Sequence, residues 1–160
     1  MPKAHHLNIL VVDDNPADGY LLSSVFDTFE PRPTCTVLTC GAAALTVLRQ
    51  RHTEGRALPD LMLLDVNLPR QSGVELLKRI KEDVNLRRLP VIMMSTADDP
   101  EEIRACYASG ANAFIVKPVE YSQVERLYTR LLAFWSQAYV RLPERPVHLG
   151  PAPLESPHWP

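Results

Sequence analysis

The chain has 160 residues, 46% hydrophobic and 22% charged, a composition that suits one folded domain and excludes a disordered chain. Seventeen Lys and Arg against nineteen Asp and Glu leave a net charge of -2, so there is no basic footprint for nucleic acid and no polybasic patch for a membrane. Six of the 15 prolines fall between Pro143 and Pro160, which predicts a proline-rich tail over 141–160 behind a domain over 7–140, with 1–6 as a short lead.

In chain order, Leu7 to Val12 reads as a buried strand that ends in Asp13-Asp14-Asn15-Pro16. Pro16 suits the first turn of a helix, where its missing N–H is not needed, and Leu21, Leu22, Val25, Phe26 and Phe29 recur at helical spacing. Cys35 to Thr39 is a weaker strand, and Gly41 opens a helix carrying Ala44, Leu45 and Leu48. Gln50 to Ala57 is polar and reads as connection. Leu61 to Leu64, between Asp60 and Asp65, is the clearest strand. A helix follows from about Ser72 with Val74, Leu77 and Ile80 on one stripe. Pro90 to Met94 is a fourth strand ending at Ser95-Thr96, and a helix over about Pro100 to Ser109 is stopped by Gly110. Ala113 to Val116 is a fifth strand closed by Lys117-Pro118. The last helix starts near Glu120 and is expected to run towards Val140, with Val124, Leu127, Leu131, Leu132 and Trp135 on its apolar stripe. Five strands, each followed by a helix, predict an α/β fold with a doubly wound parallel sheet and helices on both faces.

The cysteines, Cys35, Cys40 and Cys106, are odd in number and lack metal-ligand spacing. Met1 to Leu7 lacks a signal-peptide pattern, and no apolar run reaches the roughly 20 residues that span a bilayer. The expectation is a reduced, cytoplasmic protein.

In an open parallel sheet, function gathers beyond the carboxyl ends of the strands. Asp13 and Asp14 lie there after the first strand, Asp65 after the third, Ser95 and Thr96 after the fourth, and Lys117 after the fifth. In the flavodoxin-like order 2-1-3-4-5 these side chains converge. Two unit charges about 4 Å apart repel by roughly 4 kcal/mol at an effective dielectric near 20. A hard divalent cation such as Mg²⁺, bound by oxygens alone, relieves that repulsion. Lys117 and the Ser95 hydroxyl would complete a pocket for a phosphoryl group.

With those residues in view, the chain resembles the receiver domains of two-component response regulators. Asp13-Asp14 matches the acidic pair, Asp65-Val66-Asn67-Leu68-Pro69 the phospho-acceptor segment, Pro90 to Ser95 the switch strand and Lys117-Pro118 the lysine-proline step. The resemblance implies a (βα)5 fold and a phospho-acceptor, Asp65, loaded by a histidine kinase or histidine phosphotransfer protein. It implies Mg²⁺ held by Asp13 (through water), Asp14, Asp65 and the Asn67 carbonyl, with Ser95 and Lys117 gripping phosphoryl oxygens. It also implies a cis Lys117–Pro118 bond. Ser95 and Phe114 would form the conformational switch, Phe114 standing where many receivers have tyrosine. The longer segment between Arg49 and Pro59, the stretch Leu89 to Thr96 and Phe134-Trp135 running on to Arg141-Leu142-Pro143 look like the stand-alone receivers associated with phytochromes. That resemblance implies a light-sensing histidine kinase as partner and a homodimer through the C-terminal elements, as is common among such proteins. Tyr121, Tyr128, Phe134, Trp135 and Tyr139 are the expected dimer or partner surface.

The expected function is therefore a single-domain response regulator, not an enzyme beyond its own phosphotransfer and autodephosphorylation, signalling through protein contacts. A phosphorylation-independent scaffold with the same fold is the alternative. A haloacid-dehalogenase-type phosphatase is disfavoured, because Asn67 stands where the second acid would be. Taken singly, Asp13-Asp14 could be a helix cap, and Asp98, Asp99, Glu101 and Glu102 read as first-turn acids. Asn15 and Asp18 could tune access to the site, but the simpler expectation is that they help start the first helix.

Overall fold

A computed structural model describes residues 6–137. Its strands are β1 (Asn8–Val12), β2 (Thr34–Leu38), β3 (Leu61–Asp65), β4 (Val91–Ser95) and β5 (Ala113–Val116). They alternate with α1 (Pro16–Phe26), α2 (Gly41–Thr53), α3 (Gly73–Glu82), α4 (Pro100–Ala108) and α5 (Tyr121–Gln137). All strand pairs are parallel, in the order β2-β1-β3-β4-β5, the expected flavodoxin-like arrangement.

Alternation along the strands splits the core into two layers. Leu10, Val12, Met62, Leu64, Val91 and Met93 face one side, where α2 and α3 contribute Leu45, Leu48, Leu76, Leu77 and Ile80, and α4 contributes Cys106. Ile9, Val11, Leu61, Leu63, Ile92 and Met94 face the other, against Leu22, Val25 and Phe26 of α1 and Val124, Tyr128, Leu132 and Trp135 of α5. Each fully buried aliphatic side chain contributes about 1.5–3 kcal/mol.

Local chemistry fixes the helix starts. The Asn15 side chain accepts the Ala17 N–H ahead of Pro16, Ser72 accepts from Val74, and Asp99 accepts from Glu101 ahead of Pro100. Gly110 at φ 97° ends α4 in the left-handed region.

Several expectations are corrected. Gln50 to Thr53 belongs to α2, extended by a turn whose polar residues give no apolar stripe to read, with Gln50 donating to Glu54 at 2.8 Å. The cis bond among the described residues is Glu30–Pro31; Lys117–Pro118 is not cis, and the Lys117 side chain reaches its partners without it. Tyr128 is 2% exposed and Trp135 8%, so both are core residues and neither offers a surface. Tyr128 follows Val124 by four positions and so falls on the buried stripe of α5. Tyr121 and Phe134 are exposed as expected, Phe134 meeting Trp135 edge-on at 5.8 Å. Tyr139 lies outside the described residues. No helix among the described residues is long and apolar enough to cross a membrane.

Candidate functional site

The strand register builds the site. Val12 pairs with Leu64, so Asp13 and Asp65 lie side by side at the carboxyl ends of β1 and β3. Asp65 pairs with Met94 across β4, and Met94 with Ile115. Lys117 lies two residues beyond Ile115 and keeps its face. Asp13, Asp65 and Lys117 thus all continue the rows that α1 and α5 cover.

The Lys117 ammonium donates to three carboxylates: Asp13 Oδ2 at 2.6 Å, Asp65 Oδ2 at 2.7 Å and Asp18 Oδ2 at 2.8 Å. An ammonium has three N–H donors, and all three are engaged. Lys117 is 8% exposed and Asp13 6%. Burial alone would push the Lys117 pKa down, but its hydrogen bonds to Asp13, Asp18 and Asp65 outweigh burial and hold it above the ordinary lysine value. Burial pushes the Asp13 carboxyl up to about 6, against the opposing pull of Lys117 and of the Asn15 N–H.

Asp13, Asp14 and Asp65 each offer a carboxylate oxygen within 4.8 Å of the others. Buried, half-buried and exposed respectively for Asp13, Asp65 and Asp14, they form an all-oxygen donor set open on one side, which fits a hard divalent cation and not a soft one. Asn67 donates its N–H to Asp65 Oδ1 at 2.8 Å and borders, with Asp14, an open cleft of about 710 Å³. The cleft is also bordered by Arg70, Gln71, Asp99 and Glu102. The Asp65 turn is held from below by Gly73, whose N–H donates to the Val66 carbonyl at 2.8 Å. A Cβ at Gly73 would overlap the Asp65 carbonyl oxygen and lie 2.9 Å from Val66 Cα.

Ser95 is fully buried at the end of β4; its hydroxyl accepts the Ala97 N–H at 3.2 Å, and its carbonyl accepts the Lys117 N–H at 2.7 Å. By alternation from Met93, Ser95 faces the α4 side, where Phe114 also packs. The Phe114 N–H donates to the Tyr107 hydroxyl of α4 at 3.2 Å.

Sequence reading therefore placed Asp13, Asp14, Asp65, Lys117 and Ser95 together at the strand ends. It missed two members. Asp18 lies in the first turn of α1 as expected, and in addition turns its carboxylate to Lys117. Its signal was an acid in the first turn of the helix that directly follows the acidic pair. Tyr128 lies behind the cluster: burial raises its pKa first, and the negative charge of Asp18 adds to that.

The response regulator receiver domain family matches residues 9–129. A probable methanogenesis regulatory protein, FilR2, of Methanothrix harundinacea is 32% identical over 127 residues, covering 79% of this chain and 82% of that protein. The response regulator Rcp1 of Synechocystis sp. is 32% identical over 136 residues, covering 84% of this chain and 92% of that one; its Mn(2+)-bound crystal structure superposes with a TM-score of 0.77, covering 86% and 99%. The crystal structure of RcpA, a phosphorylated cyanobacterial phytochrome response regulator, superposes with a TM-score of 0.79 at 31% identity, covering 85% of this chain and 98% of that one.

Proposed function

The chain belongs to the response regulator receiver domain family of two-component signalling, and from that premise we propose that Asp65 is the residue through which it is switched. The observation that carries this is the contact of the Asp65 carboxylate with the Lys117 ammonium at 2.7 Å beside the Asp13–Asp14 pair. An Asp65 oxygen attacks phosphorus in line, an acyl phosphate O–P bond forms, and the P–N bond to the donor histidine breaks with the imidazole leaving. Positioning and charge neutralisation carry such a transfer. Lys117 then gives an N–H to a phosphoryl oxygen, and the Ser95 hydroxyl leaves Ala97 to give a second. Mg²⁺, held by Asp13, Asp14 and Asp65 with the Asn67 carbonyl, would offset the charge shared by phosphoryl group and carboxylates. Mn²⁺ in the Rcp1 structure supports a divalent cation here.

The donor is a histidine kinase or histidine phosphotransfer protein, and the likeness to Rcp1 and RcpA favours a phytochrome kinase. Output runs through protein contacts: Ser95 moves, Phe114 follows into the space on the α4 side, and the exposed residues Tyr121 and Phe134 of α5 serve a homodimer or partner contact. The chain acts in the cytoplasm and catalyses nothing beyond its own phosphotransfer and dephosphorylation. The test is incubation with MgCl2 and acetyl phosphate, read by intact mass. A gain of one phosphoryl group, absent in Asp65→Asn and without Mg²⁺, is the expected result; no gain, or a gain retained by Asp65→Asn, overturns it.

A further inference from the structure

Of the three carboxylates that hold Lys117, two have a second claim on them. Asp13 and Asp65 belong to the donor set that fits a cation, and Asp65 is also the site of phosphoryl attachment; Asp18 belongs to neither. A cation drawing on the Asp13 and Asp65 oxygens weakens two of the three contacts of the ammonium, because each carboxylate must share its lone pairs with a stronger charge. Asp18 is the partner with no such competition. It sits in the first turn of α1, its backbone N–H bonded to the Asn15 carbonyl at 3.2 Å. Its carboxylate is half-buried between Lys117 and the layer that contains Tyr128. The helix that carries it packs on α5 through Leu22, Val25 and Phe26, so its position is set by core packing and not by the state of the site.

We propose that Asp18 is a positioning residue that keeps hold of Lys117 when a divalent cation and a phosphoryl group claim Asp13 and Asp65. The inference rests on the reading of Asp65 as acceptor. Lys117 keeps one N–H on Asp18 and turns the N–H released by Asp65 onto a phosphoryl oxygen. The bond to Asp18 restricts the swing of the long side chain, so the ammonium arrives aimed instead of searching. A misplaced catalytic group loses up to about 10²-fold in rate, and loss of this tether is expected to slow transfer by about tenfold.

The experiment compares wild type with Asp18→Ala, Asp18→Asn and Asp18→Glu. Phosphoryl uptake from acetyl phosphate and its later loss are timed by intact mass, and melting temperature is read with and without MgCl2. The four lysines of the chain make the Lys117 ammonium resolvable by ¹⁵N NMR, which reads its hydrogen exchange with Mg²⁺ present and no phosphodonor. Asp18→Ala should slow uptake about tenfold and speed ammonium exchange, while Asp18→Asn, which keeps an oxygen in the same place, recovers part of both. Uptake within about twofold of wild type in Asp18→Ala and Asp18→Asn, with Lys117 exchange unchanged, overturns the proposal. A change confined to melting temperature overturns it too, since a helix-start role would do that alone. If Asp18→Ala does not fold, Asp18→Asn and Asp18→Glu decide by the same readings. Absence of uptake by wild type sinks the acceptor reading instead, and the exchange of the Lys117 ammonium still decides whether Asp18 holds it.

Discussion

Asp65 Oδ2 and Lys117 Nζ meet at 2.7 Å although they come from the ends of β3 and β5, which have β4 between them. The lysine reaches over the end of β4, its own N–H anchored on the Ser95 carbonyl at 2.7 Å. The contact therefore ties together three strands and, through Asp13, a fourth.

Removing that ammonium leaves a buried carboxylate without a counter-charge. Loss of one partner from a buried ion pair costs about 3–5 kcal/mol, and Lys117→Met should lower stability at neutral pH by that order. MgCl2 should restore much of it, because the cation takes over the neutralising role. Urea unfolding with and without MgCl2 checks both; a variant as stable as wild type without the cation contradicts the picture of Lys117 as the internal counter-ion.

Acid should weaken cation binding. The Asp13 pKa is raised to about 6 by burial from an ordinary value of 3.8, so the native state holds its proton more tightly than the unfolded chain. Its contribution to stability is then fully present below 3.8, and is lost as pH rises through about 6. A cation must displace that proton, so affinity should fall about tenfold per pH unit below 6 for a single competing proton. At the same MgCl2 concentration the rise in melting temperature should be clearly smaller at pH 5 than at pH 8. An equal rise at both would contradict it.

Gly73 admits no side chain. Its α-carbon sits so close to the Asp65 carbonyl that an added methyl must displace backbone, not a yielding side chain. Gly73→Ala should cost about 1–3 kcal/mol, the usual range for overpacking, and slow phosphoryl uptake by shifting Asp65. A control at the open Gly55, where a Cβ meets nothing within 4 Å but φ is 67°, should lower stability without touching uptake rates.

Tyr128 and Phe134 should behave as opposites. Tyr128→Ala opens a core cavity and should cost about 3–5 kcal/mol, as truncation of a buried aromatic does. Phe134→Ala, at an exposed position, should change stability by no more than about 0.5 kcal/mol. Denaturant unfolding gives the first comparison. Sedimentation of Phe134→Ala against wild type shows whether the exposed ring supports self-association.

The thiols should separate by reactivity. Burial pushes the Cys35 thiol up to about 11 and raises that of Cys106 as well, while Cys40 is exposed at the start of α2. Iodoacetamide at neutral pH should label Cys40 and spare the other two until the chain is unfolded. Peptide mapping reads the order directly.

Much of this was legible because strands and sites obey counting rules. The short apolar runs Leu7 to Val12 and Leu61 to Leu64, with charged residues directly after them, marked buried strands of a sheet and put the acidic cluster at their ends. What escaped was whatever depended on three-dimensional approach. The polar last turn of α2 shows no stripe, so Gln50 to Thr53 passed for connection. Tyr128 was counted off the apolar stripe of the last helix and so as surface, although its spacing from Val124 and Leu132 puts it on the buried face. Asp18 has an ordinary helix-start explanation, and only the arrival of a lysine from 99 residues away reveals another.

The same counting makes strand length as binding as residue identity. Asp13, Asp65 and Lys117 share one side of the sheet by parity, and Ser95 and Phe114 share the other. Deleting any one residue within Ala113–Val116 would deliver Lys117 to the wrong side, beyond the repair of local relaxation. A single-codon deletion in β5 should therefore abolish the site more thoroughly than most substitutions there, even with every charged residue still encoded.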